Sequence, residues 1–480
     1  MSFNSLQFIL FLPVVWILYW YVFNKKLRLQ NWFLGAASVF FYACWDWRFA
    51  LLLLLTTVSS YGTGLLIERT RVRWRRSALS AANIVLNLAI LGFFKYYNFF
   101  AEAFAEMLRA IGLLPDIATL QLLLPVGISF YTFQALSYSI DVYRGKVPAT
   151  RRFDAFLAYV TFFPQLVAGP IERATHLLPQ MLRTRVFTYE TASDGCRQML
   201  WGFVKKIVVA DNCAVAVDMI WGNYTSMSGL QLLVGVLLFT IQIYADFSGY
   251  SDIAIGCARL FGIELVANFR YPYFSRNPSE FWRRWHVSLM KWFRQYIYIP
   301  LGGNRGGLNA TMRNIMIVFT LSGLWHGAQW TYVCWGIYHG VVMCVALLLG
   351  WNKHYSRVIA SRGWVVRPRE FAGMLLTFVL VAMGWILFRS GSLAEADNYV
   401  QHLLGHIGET EITVGYRALF YSAALLVIDW TCRRREHVLQ LNFGGVFRYR
   451  WCRWVMYYGL VALIIHELQQ SQQAFIYFQF

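Results

Sequence analysis

Val341-Val342-Met343-Cys344-Val345-Ala346-Leu347-Leu348-Leu349 is an apolar run without a charge, and Leu51–Leu55 and Leu232–Leu238 are nearly as unbroken. A transmembrane β-strand alternates apolar and polar residues, so runs of this kind exclude a barrel. In lipid, only a helix satisfies every backbone polar group within its own segment. Crossing a bilayer core of about 30 Å takes about 20 helical residues. A buried soluble helix imitates one such stretch, but here they recur along the whole sequence.

Composition agrees. Hydrophobic residues make up 58% of the chain, aromatics 18% and charged residues only 14%, with a mean hydropathy of +0.45, so water is not its main solvent. The pattern predicts a polytopic all-α membrane protein, one membrane-embedded domain over residues 1–480. Twelve spans are expected, at about 5–23, 32–45, 48–66, 77–100, 121–140, 197–221, 229–250, 312–329, 332–350, 371–389, 413–430 and 454–468. The first lacks a basic leader and a small-residue cleavage pattern before Asn24, and reads as a retained anchor. The eight cysteines are scattered singly with no CxxC, which suggests neither a disulfide framework nor a zinc site, and no HExxH is present.

The net charge of +19 raises the question of a nucleic-acid partner, and the position of the charges answers it. Lys25, Lys26 and Arg28 occupy one linker; Arg69, Arg71, Arg73, Arg75 and Arg76 the next on the same side; Arg144 to Arg152, Lys353 to Arg369 and Cys432 to Arg453 follow with the same parity. Segment Gly391–Ile412, of opposite parity, carries Glu395, Asp397, Glu409 and Glu411 and no Lys or Arg. The bias of inner loops for Lys and Arg places the basic linkers in the cytoplasm and both termini outside, without invoking a polyanionic ligand.

Two regions break the regular pattern. Tyr159–Ile171 is apolar but short and closes on Ala168-Gly169-Pro170, so it is expected to dip into the membrane and return. Residues 252–313 form a long cytoplasm-facing interfacial segment. Within it Phe281, Trp282, Trp285, Leu289, Trp292 and Phe293 recur at steps of three and four among Arg283, Arg284, Lys291 and Arg294, predicting an amphipathic interfacial helix starting near Asn277 or Pro278.

Ionisable groups inside a membrane are expensive and usually serve a cavity or a partner. His326, between Gly323 and Gly327 near the end of an apolar span, can take a proton from a hydroxyl; tying two helices together is the structural alternative. His339 is a second candidate, but the spacing alone does not make the two a dyad. His286 lies beside Trp285 and Ser288, as an interfacial anchor or a substrate contact. Tyr244 to Asp252, read as a loop after a long span and turning at Gly249, gathers Asp246, Ser248, Tyr250 and Asp252 into a polar cavity wall; Gln134 and Gln165 invite the same reading, with helix packing as the alternative. Asn304 and Arg305 close a basic glycine turn from Pro300 that suits phosphate groups or anionic lipid.

The motifs Leu124–Gln134, Phe163–Ile171, Asp246–Asp252, Asn268-Phe269, Pro278–Ser288, Tyr298–Asn304, Leu324–Gly327 and Phe475–Phe480 resemble the membrane-bound O-acyltransferase family, and within it the bacterial alginate O-acetylation membrane proteins. The resemblance covers essentially the whole chain. It implies a ring of slanted helices with re-entrant and interfacial elements around a central tunnel, and it matches His326 to the family's required histidine. It also implies acetyl-CoA as a donor that is not tightly bound, entering near Pro278–Asn304, where Trp285, His286, Asn304 and Arg305 are the candidate contacts. Gln134, Asp246, Ser248 and Tyr250 would line the tunnel, and His339 would orient substrate or base.

The implied activity is that of an O-acetyltransferase component of the bacterial inner membrane, passing acetyl outward to a polysaccharide, alginate first. The implied partners are a periplasmic or membrane-tethered SGNH-type (Ser-Asp-His) acetyltransferase, export and modification proteins, and membrane lipids, with no nucleic acid. Transfer of a D-alanyl or longer acyl group is the competing enzyme reading. A metabolite or lipid transporter would show discontinuous helices in paired halves, and the first half holds no counterpart of Leu324–Gly327. A structural export subunit would use His326 only for packing.

Overall fold

The computed structural model describes residues 1–113, 120, 123–167, 169–355, 358–360, 363–441, 445–469 and 473–476. Residues 121–122 of the expected 121–140 span, Ala168, Arg357, Arg362 and Tyr477 to Phe480 lie outside the described residues. All regular structure among the described residues is helical. The chain packs as two compact units, Met1–Gly195 with Cys257–Val266, and Cys196–Gly256 with Ala267–Phe480.

The first unit contains α1 (Leu6–Ile17), α2 (Leu27–Ala43), α3 (Trp47–Arg69), α4 (Arg73–Leu91), α5 (Tyr97–Ala110), α6 (Ile128–Tyr143), α7 (Phe153–Thr161), α8 (Phe163–Leu166) and α9 (Ala174–Met181). A wide turn with i→i+5 bonding at Gly92–Tyr96 joins α4 to α5. The apolar stretch Tyr159–Ile171, expected to dip and return, takes in the last turn of α7 and the four-residue α8, broken at Phe162, and neither helix is long enough to cross a bilayer. A buried polar cluster is paired within the unit: Arg185 donates to Tyr19 Oη at 3.0 Å and Asn31 Oδ1 at 2.5 Å, and Asn31 donates to Asp154 Oδ2 at 2.9 Å.

From α10 (Tyr189–Phe203) the chain passes through a second wide turn, Val204–Ala210, into α11 (Asp211–Gly222) and then α12 (Gly229–Leu260). The rest of the second unit contains α13 (Pro278–Trp282), α14 (Val287–Phe293), α15 (Gly307–His326), α16 (Trp330–Leu348), α17 (Pro368–Arg389), α18 (Leu393–Gly405), α19 (Tyr416–Cys432) and α20 (Arg450–Leu468). Helices α15 and α16 form a tight hairpin in which backbone meets backbone. A Cβ on Gly323 would lie 2.2 Å from the Tyr332 carbonyl oxygen, and one on Gly336 would lie 2.3 Å from that of Phe319. Small residues at such a crossing let dispersion and helix dipoles act at close range.

Among the described residues, five helical segments are long and apolar enough to cross a membrane: Trp47–Arg69, Arg73–Ala110, Gly229–Leu260, Trp330–Leu348 and Pro368–Arg389. Most of the twelve expected spans fall on helices, but several of those helices are shorter than a full crossing; α6, for instance, has only 16 residues and lies almost wholly buried in protein.

Two expectations need correction. The segment Tyr244–Asp252 is no loop: α12 continues to Leu260, and Gly249 makes no turn. Its role is close approach, since a Cβ there would lie 2.8 Å from the carbonyl oxygen of Gly202 on α10. The expected amphipathic helix through residues 281–293 is broken into α13 and α14 at His286, whose backbone is left-handed at φ 43°. Its aromatic face turns to protein rather than lipid, with Trp282 packed on Phe319, Trp335 and His339, and Trp285 on Phe269 and Trp385. The predicted start at Asn277 and Pro278 is observed, with the Asn277 side chain accepting from the Glu280 amide at 2.7 Å.

Gly323→Ala is expected to cost roughly 1–3 kcal/mol through overpacking, whereas Gly92→Ala, where nothing lies within 4 Å, should leave stability unchanged. Thermal unfolding of the two detergent-solubilised variants checks this; equal midpoints would remove the α15–α16 contact from the forces that hold the hairpin.

Candidate active site

His326 is the last residue of α15. The helix stops there because Gly327 is extended, and a Cβ at Gly327 would lie 2.1 Å from the Tyr332 ring, so only glycine permits the return into α16. The imidazole is 4% exposed. It is boxed by aromatic rings at centroid distances of 4.9 Å (Trp325), 5.1 Å (Trp335) and 5.4 Å (Phe388). Trp335 in turn stacks on Trp385 at 5.7 Å, and both rings meet Phe388. Such a box excludes water and leaves the ring nitrogens as the local polar chemistry.

The nearest imidazole that the structure gives as a neighbour of His326 is His286, with ring centroids 6.4 Å apart. His339 instead shares a neighbour with His326: Trp335 lies 5.0 Å from the His339 ring, which also packs on Trp282 at 5.0 Å. Its Nε2 lies against Gly384, where a Cβ would come within 2.6 Å. His339 is thus placed among the rings behind Trp335.

His286 lies between α13 and α14, held between Phe247 at 4.7 Å and Trp325 at 5.8 Å. Burial pushes its imidazole down to about 3, so it is neutral at pH 7. Asn268 reaches it: the Asn268 side-chain oxygen is 3.1 Å from His286 Nδ1, and the Val287 amide donates to the Asn268 carbonyl at 2.9 Å. Below this segment Arg276 bonds Glu280 at 2.8 Å and Glu370 at 3.0 Å, and Arg284 bonds Glu280 at 2.7 Å, locking 276–284 to the start of α17. Burial alone would raise the Glu280 carboxyl, but bonds from Arg276 and the charge of Arg284 hold it below the ordinary range.

Trp285 is a wall of the aromatic packing, 1% exposed. Asn304 and Arg305 lie in the Tyr298–Gly307 turn, where Asn304 bonds Tyr298, Asn314 donates to the Leu301 and Gly303 carbonyls at 3.2 and 3.0 Å, and Arg305 is exposed. Gln134 belongs to the first unit, where it and Gln165 both donate to the Tyr159 carbonyl, at 2.6 and 2.9 Å.

Asp246 and Ser248 join a buried ion network that sequence reading missed. Lys206 Nζ lies 2.8 Å from both Asp211 and Asp246, and Lys205 Nζ lies 2.6 Å from Asp252 and 3.0 Å from Ser248 Oγ. The end of the chain enters it: the Ile476 amide donates to Asp246 at 2.7 Å, Lys206 donates to the Gln473 carbonyl at 3.2 Å, and Phe475 stacks on Tyr250 at 4.5 Å. Asp429, also buried, accepts from Tyr244 Oη at 2.7 Å. Two adjacent lysines inside an apolar span were the signal available beforehand.

The family model described as MBOAT, membrane-bound O-acyltransferase family, matches residues 150–358. The chain is 42% identical over 398 residues to the Probable alginate O-acetylase AlgI of Pseudomonas aeruginosa, covering 82% of this chain and 73% of the relative. It is 37% identical to the protein of the same name from Pseudomonas putida, over the full length of both. The Peptidoglycan O-acetyltransferase of Helicobacter pylori is 34% identical, over 84% of this chain and 80% of the relative.

Lys206→Met, which strands two buried carboxylates, is expected to destabilise the protein by about 3–5 kcal/mol; adding Asp246→Asn should recover part of that loss. Chemical unfolding of both variants measures it, and a single variant as stable as wild type would show that the network does not hold the fold.

Proposed function

Because the chain belongs to the membrane-bound O-acyltransferase family, we propose that it takes acetyl from cytoplasmic acetyl-CoA and passes it across the bacterial inner membrane for O-acetylation of an extracytoplasmic polysaccharide. The chain is a multi-pass membrane O-acyltransferase. Alginate is the first acceptor to test, since relatives 42% and 37% identical carry alginate in their names. A separate SGNH-type acetyltransferase outside completes the transfer to the glycan in this reading, and the helices around the site form the tunnel through which the acyl group passes.

The observation that carries the reading is His326 at the end of α15, buried in an aromatic box with a second imidazole 6.4 Å away. His326 takes the proton of an acceptor hydroxyl as its oxygen attacks the thioester carbonyl. The tetrahedral oxyanion collapses, the C–S bond breaks, and the proton passes to the departing thiolate, so no proton is gained or lost overall. The apolar walls suit a short uncharged acyl group and keep water from hydrolysing the thioester. Acetyl-CoA is made in the cytoplasm, and the Arg-rich linkers face that side in this orientation. Arg305, exposed on its turn, is available there to the phosphates of the donor.

In proteoliposomes supplied with labelled acetyl-CoA inside and a partner acetyltransferase with alginate outside, His326→Ala is expected to lower acetyl transfer by roughly 100-fold or more. Equal transfer by a folded variant would remove His326 from the chemistry. A wild type that transfers no acetyl but accepts another acyl donor would replace the donor and keep the site.

A further inference from the structure

The contacts of Asn268 fix more than the position of His286. Asn268 is 1% exposed, and its side-chain oxygen receives three groups: the Ser288 amide at 3.2 Å, Ser288 Oγ at 3.0 Å and His286 Nδ1 at 3.1 Å. Its Nδ2 donates to Ser251 Oγ on α12 at 3.4 Å. The two ends of an asparagine amide are distinguished by what they meet. A backbone N–H only donates, so the atom facing the Ser288 amide is the oxygen. That oxygen only accepts, and His286 Nδ1 must therefore carry a proton. In the neutral imidazole the lone pair is then on Nε2.

We propose that Asn268 is a positioning residue that commits His286 to the Nδ1–H tautomer, so that His286 presents a proton-accepting Nε2 beside His326. The same side chain explains the left-handed backbone of His286. Receiving both the Ser288 amide and the ring, and bonding Val287 through its own carbonyl, Asn268 draws residues 286–288 around itself and breaks the helix there. Tautomer and backbone turn are thus set by one residue, through its side-chain oxygen and its main-chain carbonyl. The inference rests on the reading of His326 as the base, because a fixed tautomer at His286 matters to the reaction only if proton transfer happens beside it.

Without Asn268 the imidazole is free to adopt the Nε2–H form, which offers a donor where the reaction requires an acceptor. Asn268→Asp keeps an oxygen for all three donors; Asn268→Ala keeps none. Full-length protein labelled with 15N-histidine, compared with His286→Gln to assign the signal, reports the tautomer directly. Wild type and Asn268→Asp are expected to show a protonated Nδ1, and Asn268→Ala a shift toward the protonated-Nε2 form. In acetyl transfer from acetyl-CoA, Asn268→Ala should lower kcat roughly 10- to 100-fold with KM unchanged, and Asn268→Asp should restore most of it. An unprotonated Nδ1 in wild type, an unaltered tautomer in Asn268→Ala, or an aspartate variant no more active than the alanine variant would overturn the proposal. The tautomer signal needs no acyl donor, so it separates failure of this inference from failure of the acetyl-CoA reading.

Discussion

A side chain on Gly323 or Gly336 would collide with the backbone of the facing helix, and from that contact the rest of the centre follows. Two helices pressed this closely leave no freedom in the turn between them, so the last residue of α15 has one place to be. Trp335, one turn into α16, then closes over the His326 ring, and Phe388 at the end of α17 closes the side. Apolar contact alone would hold helices in lipid only weakly, because the lipid tails are as apolar as leucine. Close backbone packing makes the hairpin rigid and fixes where the His326 ring stands.

Much of this was legible in the sequence, and the failures have a common cause. Helix class followed from apolar runs, and His326 was marked by an ionisable side chain between glycines in an apolar stretch. Polar residues 244–252 looked like the end of a span because nothing nearby in sequence could neutralise them. Their partners lie far off along the chain: Lys205 meets Ser248 across 43 residues. The break at His286 was hidden likewise, since the residue responsible, Asn268, stands 18 positions earlier. Period and composition report what a segment prefers alone. They do not report a distant amide or ammonium that outbids that preference.

Charge inside the second unit is handled differently from charge at its surface. Arg434 and Arg435 are exposed, where lipid headgroups and water screen them. Lys205 and Lys206 are buried at 4% and 5% exposure, each against carboxylates, so desolvation of each ion is offset by its neighbour. The wide turn at Val204–Ala210 carries both lysines, and extra backbone there aims successive side chains inward that an ordinary helix would spread apart.

The bond from Ile476 to Asp246 spans 230 residues of chain. During synthesis at about 5–20 residues per second, roughly 10–50 s separate the emergence of the two ends of that bond. Maturation of this protein therefore has a late step: a compartment lined by the middle of the chain closes only once residues 473–476 reach it.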